Sequence, residues 1–222
     1  MAIDMRSVSA AELSVLETNK VLKNTYLLLS ATLGFSALTA LFSMSLNIGG
    51  MMPLIMMVGA MVLGIFVLPK TANSAAGIGV IFLITGMLGF AIGPMLNMYL
   101  GLSNGSQVVL TALGGTAAIF VGLSAYAVNS KKDFSFMGGM LIAGMITVFV
   151  LMIANLFLQM PGFQLIISGA VIMLMSGFIL MDTSRIVLGG ETNYILATFG
   201  MYLSIFNIFI HLLAILGIMS DD

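Results

Sequence analysis

Seven apolar runs without Asp, Glu, Lys or Arg cover residues 25–46, 51–68, 76–100, 107–128, 136–158, 163–181 and 194–218. Each is close to the ~20 residues that cross a ~30 Å hydrocarbon core at a helical rise of about 1.5 Å per residue. The runs are continuous and do not alternate apolar with polar positions, which argues against a transmembrane β-barrel. The pattern predicts an all-α integral membrane protein with seven transmembrane helices in one compact domain. Within the last run, Ser204, Asn207 and His211 recur at spacings of three and four, and Ala197, Gly200 and Ala214 extend the same line. Ile195, Phe199, Leu203, Phe206, Phe209 and Leu212 fill the other faces. Polar groups at membrane depth are costly unless protein or water satisfies them, so this stripe is expected to face other helices.

The few charges fix an expected orientation. Arg6, Lys20 and Lys23 precede the first run, Lys70 follows the second, Lys131 and Lys132 follow the fourth, and Arg185 follows the sixth. The alternate connections, around 47–50, 101–106, 159–162 and 220–222, carry no Lys or Arg. By the positive-inside rule the N-terminus lies in the cytoplasm and the C-terminus outside, as an odd number of spans requires. Residues 1–24 then form a cytoplasmic N-terminal tail and 25–218 a membrane domain. In the tail, Ser9-Ala10-Ala11-Glu12 matches a capping box. The outward loops are only four to six residues long, so a soluble partner is expected to approach from the cytoplasm.

Composition narrows the chemistry. The 222 residues are 60% hydrophobic and 7% charged, against about 25% charged in a soluble domain. There is no cysteine, which removes disulfides, thiolate metal sites and thiol catalysis. No basic cluster points to nucleic acid. The first apolar run is too long for a cleavable signal, and Asp4, Glu12 and Glu17 precede it. Tyr26, Tyr99, Tyr126 and Tyr194 fall at span ends as interface anchors, since Trp is absent. Small residues four apart (Gly89 and Gly93; Gly114, Ala118 and Gly122; Gly139 and Ala143) predict close helix packing within the monomer. Gly93-Pro94 is expected to kink the third span, with Asn97 placed to take up a freed carbonyl.

Nucleophile and metal menus are nearly empty: one His, no Cys, and no acidic residue within any run. No catalytic residue, cofactor or metal is expected, and the chain does not read as an enzyme. His211 reads as a neutral imidazole bonded to a neighbouring helix before it reads as a proton relay. Asn97 and Asn155 read as interhelical hydrogen-bond glue before they read as the lining of a polar cavity. Asp182 closes the sixth run three residues before Arg185, on one helix face if the helix continues. The pair is either an ordinary interfacial ion pair or a gate.

The C-terminal third then resembles a known family. Asp182-Thr183-Ser184, Gly189-Gly190-Glu191-Thr192-Asn193-Tyr194 and Met201-Tyr202-Leu203-Ser204-Ile205-Phe206-Asn207-Ile208-Phe209 are similar to the Bax inhibitor-1 family. There an Asp-Thr is followed by a seventh span with a Tyr-Leu-Asp-x-x-Asn-x-Phe pattern. Lys20-Val21-Leu22-Lys23-Asn24-Thr25-Tyr26, Gly93-Pro94-Met95-Leu96-Asn97 and Phe136-Met137-Gly138-Gly139-Met140-Leu141 extend the likeness to the branch of Gram-negative bacteria. The resemblance implies a multi-pass protein of the bacterial inner membrane whose last helix is surrounded by the other six. It also implies two functions. One is modulation of the membrane-bound AAA protease FtsH, with the tail residues Glu12, Glu17, Lys20 and Lys23 as a handle. The other is a pH-sensitive leak of calcium or protons, gated in relatives by two aspartates on the last two helices. Asp182 matches the first aspartate, but Ser204 occupies the second position. Arg185, Asn207 and His211 complete the candidate ion path. The lipid bilayer is the remaining partner.

Overall fold

A computed structural model describes residues 5–46, 48–158 and 160–220, with the side chains of residues 5–17 and 161 outside that description. Among these residues, seven helices are long and apolar enough to cross a membrane. They are α1 (Met5–Ser45), α2 (Met52–Val62, continued through Leu63–Val67 and Leu68–Thr71), α3 (Ala75–Leu100), α4 (Gly105–Ser130), α5 (Gly138–Leu158), α6 (Pro161–Val187) and α7 (Tyr194–Ile218). The all-helical, seven-span architecture is as the apolar runs predict.

Boundaries differ from the runs where local chemistry overrides hydropathy. α1 is continuous from Met5, so Ser9 lies inside the helix and does not cap it. A capping serine must hold a non-helical backbone, so the four-residue match carries no capping here. α2 passes through a π-helical turn at Leu63–Val67 immediately before Pro69, where the Leu68 N–H bonds the Leu63 carbonyl. Proline offers no N–H and crowds the carbonyl four residues back, and a π turn relieves that conflict without ending the helix. α6 continues past Asp182 to Val187 because Thr183, Ser184 and Ile186 keep a buried face going. It stops at Gly189 (φ +76°), with Gly190 N–H bonding Arg185 O at 2.8 Å, a glycine-terminated helix end.

α7 lies inside the bundle. It packs most extensively against α6, α4 and α1, less against α3, and the Phe199 ring seats on Gly64 of α2. α5 stands behind α6 at the periphery. Half of the most apolar window of α7 is buried, as is half of that of α3, against 11% for α5. The bundle thus has two central helices, joined through Tyr202. This fully buried side chain meets Ser36 Oγ of α1 at 2.6 Å and donates to Thr85 O of α3 at 3.3 Å. Its ring stacks on Phe206.

α1 and α3 approach until backbone meets backbone. Gly89 lies against the Ser36 carbonyl and hydroxyl, Gly86 against the Phe35 ring, and Gly93 against Ser43 and Ala40. Asn97 donates across the same seam to Met44 O at 3.1 Å. The other two small-residue lines do not pack this way. Gly114, Gly122 and Gly139 have nothing within 4 Å of a built Cβ, and Ala118 and Ala143 are exposed beside them. α4 instead turns Val108, Ala112, Thr116, Ser124 and Ala127 inward. Spacing defines a helix face and leaves open which way that face points.

Gly89→Ala should therefore cost about 1–3 kcal/mol through overpacking. Gly114→Ala should be neutral or stabilising, since alanine favours helix by about 1 kcal/mol. Unfolding of both variants in detergent micelles checks this, and equal effects would remove the α1–α3 seam as the special contact.

Candidate functional site

The ends of the helices that carry Lys20, Lys23, Lys70, Lys131, Lys132 and Arg185 gather at one end of the bundle, called here the basic end. Side chains there tie two loops to each other and a third to α6. Asn193 caps α7, its Oδ1 accepting from Ile195 N–H (3.0 Å) and Leu196 N–H (3.1 Å), while its Nδ2 donates to Ala72 O (3.1 Å). Ser184 Oγ donates to Lys132 O at 2.8 Å and accepts from Phe134 N–H at 3.2 Å. Asp133, in the same loop, accepts from Ser135 N–H at 2.8 Å. That bond holds its carboxyl below the usual carboxylate range.

Between α6, α7 and the 189–193 turn is a cavity of about 140 Å³, lined by Asp182, Arg185, Glu191, Leu196, Ala197 and Gly200. Asp182 is half-buried and Arg185 exposed. The continued helix puts both at the cavity. The Asp182 carboxylate rests against α7 at Gly200, where a Cβ would stand 2.8 Å from Oδ2. Glycine at 200 is thus what admits the carboxylate. Ser204, one turn further along α7, is 3% exposed.

The rest of the stripe serves other purposes. Asn207 donates to its own helix at Leu203 O (2.8 Å). His211 is buried and its Nδ1 meets Ser168 Oγ of α6 at 3.1 Å. Ser168 also accepts from Gln164 Nε2 at 3.5 Å, and Gln164 Oε1 accepts from Asn155 Nδ2 of α5 at 2.9 Å. Asn155 and His211 thus belong to one ladder across α5, α6 and α7, toward the end opposite the basic one. Among the described residues, no group of three or more His, Cys, Asp or Glu is placed to hold a metal ion.

Lys20 and Lys23 are exposed, and Lys20 borders a second, larger cavity of about 400 Å³. Its other walls are Thr18, Val21 and Asn24 of α1 and Gly189, Glu191, Thr192 and Tyr194 of the turn. The side chains of Glu12 and Glu17 lie outside the described residues. Sequence reasoning missed Glu191 as a cavity residue and Tyr202 as the central hub. Gly189-Gly190 was the available signal for the first, because two glycines after a helix let the chain fold back over its end. For the second it was a tyrosine at mid-span, away from either interface.

These features define a polytopic helical membrane protein with a cavity at one end lined by Asp182, Glu191 and Arg185. Comparison with known proteins gives the family. The model described as Inhibitor of apoptosis-promoting Bax1 matches residues 18–221. An uncharacterized membrane protein of Vibrio cholerae is 51% identical over 207 residues, 93% of each chain. A protein of Escherichia coli K12 named Modulator of FtsH protease YccA is 50% identical over 212 residues, 94% of each chain. A Pseudomonas aeruginosa protein is 44% identical over 207 residues, 93% of this chain and 92% of its own. The chain belongs to the Bax inhibitor-1 family. It is a multi-pass inner-membrane protein, in keeping with its seven apolar helices and with the name Inner membrane protein YccA carried by an E. coli O6:H1 relative.

The Tyr202–Ser36 bond should be measurable as coupling. Tyr202→Phe is expected to cost about 1–2 kcal/mol, since it leaves a buried hydroxyl short of a partner. A double-mutant cycle with Ser36→Ala should return about 0.5–1.5 kcal/mol of interaction. Strict additivity would show that the contact contributes nothing of its own.

Proposed function

We propose that this protein modulates an FtsH-type AAA membrane protease, which grips it by its cytoplasmic N-terminal segment and processes it slowly, so that other membrane substrates are spared. The observation that carries the reading is 50% identity over 94% of both chains to a protein named as a modulator of that protease. In this reading the N-terminus and the basic end face the cytoplasm, consistent with the Lys and Arg distribution. A tail of ~23 residues reaches at most about 75–80 Å when extended, enough to enter a protease anchored in the same membrane. The handle is residues 1–24, with Glu12, Glu17, Lys20 and Lys23 as its charged positions. Deleting residues 2–18 should abolish both degradation of the protein and its protection of other substrates, read as pulse-chase half-lives in cells carrying the protease. Persistent protection by the truncated protein would show that the tail is not the handle.

A second reading, a calcium or proton leak, is favoured by one observation: a carboxylate, Asp182, in a cavity at a span end. Here Asp182 and Arg185 would form the gate, with Ser204, Asn207 and His211 along the path. A steep pH switch of the paired-carboxylate kind needs two groups close enough to share a proton, and Ser204 cannot be one of them. Any flux in proteoliposomes should therefore lack a steep acid-side transition that survives Glu191→Gln, since Glu191 is the other carboxylate lining the Asp182 cavity. Finding such a transition, and losing it in Asp182→Asn, would contradict this.

A further inference from the structure

The larger cavity at the basic end, of about 400 Å³, is used by neither reading of the function. Its volume falls within the roughly 300–1,000 Å³ of small-ligand sites. The cavity lies between the start of α1 and the turn after α6, and its walls come from the ends of three spans. Thr18 opens the first span, Val187 closes the sixth just before Gly189, and Tyr194 opens the seventh. Span ends are where the hydrocarbon of a bilayer gives way to lipid headgroups.

Two charges of opposite sign line this space, Lys20 from α1 and Glu191 from the turn. Thr18, Asn24 and Thr192 add uncharged polar groups, and Val21 and Tyr194 add apolar wall. The Glu191 side is fixed by the protein itself. Glu191 N–H bonds Arg185 O at 3.1 Å, and Glu191 Oε1 accepts from Asn193 N–H at 2.8 Å. A carboxylate accepts at both oxygens, so that bond places the group without exhausting it. Val21 and Tyr194 pack on the main core, which holds the apolar walls. The surface beyond the cavity is hydrocarbon. Leu27 follows Lys20 and Asn24 at helical spacing, shares their face of α1, and is 65% exposed. Leu38 and Leu41 extend that exposed face along the span, and Leu188, adjacent to Gly189, is exposed as well. In a bilayer such side chains meet acyl chains.

A fitting ligand carries a phosphate for Lys20, an ammonium for Glu191 and hydrocarbon for the Leu27 face. We propose that this cavity binds the headgroup of a zwitterionic phospholipid with a primary amine, of the phosphatidylethanolamine kind, from the leaflet at the basic end. An anionic headgroup would satisfy Lys20 but bring its charge against Glu191. A choline headgroup has no N–H to donate to the carboxylate. Residues 18–24 hold no fully buried side chain, so a lipid here also supplies contact that the protein does not give this stretch of α1. The site rests on the cavity and holds whichever function proposed above is correct.

The test titrates the purified full-length protein, in a non-ionic detergent, with dioleoyl phospholipids bearing ethanolamine, choline or glycerol headgroups. Native mass spectrometry reads the lipid-bound fraction. The first ethanolamine lipid should bind about fivefold or more tighter than either of the others. Lys20→Gln should weaken it by a similar factor, whereas Lys23→Gln, exposed nearby but not lining the cavity, should not. Glu191→Gln keeps an oxygen for the Asn193 N–H and removes the charge. It should lower the preference for ethanolamine and raise binding of the glycerol lipid, a gain that misfolding does not produce. Equal binding of the three lipids overturns the site, as does tighter binding of the glycerol lipid to the unaltered chain. Equal losses in Lys20→Gln and Lys23→Gln also overturn it, since they would mean diffuse attraction to the basic end. Soluble phosphoethanolamine in excess should leave the lipid bound. Displacement would assign the cavity to a free phosphate compound and overturn the lipid as its occupant.

Discussion

Lipid tails offer no hydrogen bonds, so polar atoms carried into the bilayer find partners inside the bundle or cost free energy. This constraint arranges α1, α3 and α7. Tyr202 takes a hydroxyl into the centre of the protein, where Ser36 and Thr85 O meet it. That meeting is possible only because Gly86, Gly89 and Gly93 let α3 come against the backbone of α1. Small residues and polar contact are thus one device: the first sets the distance at which the second works. Among the described residues, Tyr26 OH, Ser43 Oγ, Ser124 Oγ, Ser130 Oγ, Asn155 Oδ1 and Thr183 Oγ1 are buried without a hydrogen-bond partner, and each costs about 1–3 kcal/mol by the usual measure.

The two ends of the bundle differ in how their polar side chains are held. Away from the basic end, Asn155, Gln164, Ser168 and His211 form a ladder in which each member supports the next. At the basic end, Asp182 and Arg185 border a cavity together with Glu191 of the turn that follows α6. The ladder restricts geometry, although Asn155 Oδ1 within it stays buried without a partner, while the charged groups at the basic end surround open space.

Much of this was legible in the chain. Continuous apolar runs determine the spans because a helix must cross the bilayer whole, and the alternation of Lys and Arg identifies a common end. The stripe on α7 correctly pointed inward, for Ala197, Ser204 and His211 are buried. It understated the case, since Met201, Tyr202, Ile205 and Ile208 are buried too: a helix enclosed on several sides has no single inward face. The lines through Gly114 and Gly139 misled for a related reason, because spacing carries no information about which neighbour a face meets. Asp182 looked terminal because hydropathy ends at a charge, yet the helix continues wherever a buried face continues. Glu191 was invisible because it comes to Asp182 across a turn, and a linear pattern does not show where a turn folds back.

The same geometry bears on why a protease would process such a chain slowly. An AAA machine pulling on the N-terminus meets the helices in order, and the first it must extract is α1. Beyond Thr25 that helix is bonded to α7 through Thr198, to both central helices through Ser36 and Tyr202, and to α3 along the glycine seam. Extracting it separates backbones in contact and leaves the Tyr202 hydroxyl without Ser36, all in a medium that supplies no replacement. Ahead of Thr25, residues 18–24 hold no fully buried side chain. A chain built in this way offers a grip at its end and resistance immediately behind it, the combination a slowly processed, competing substrate needs.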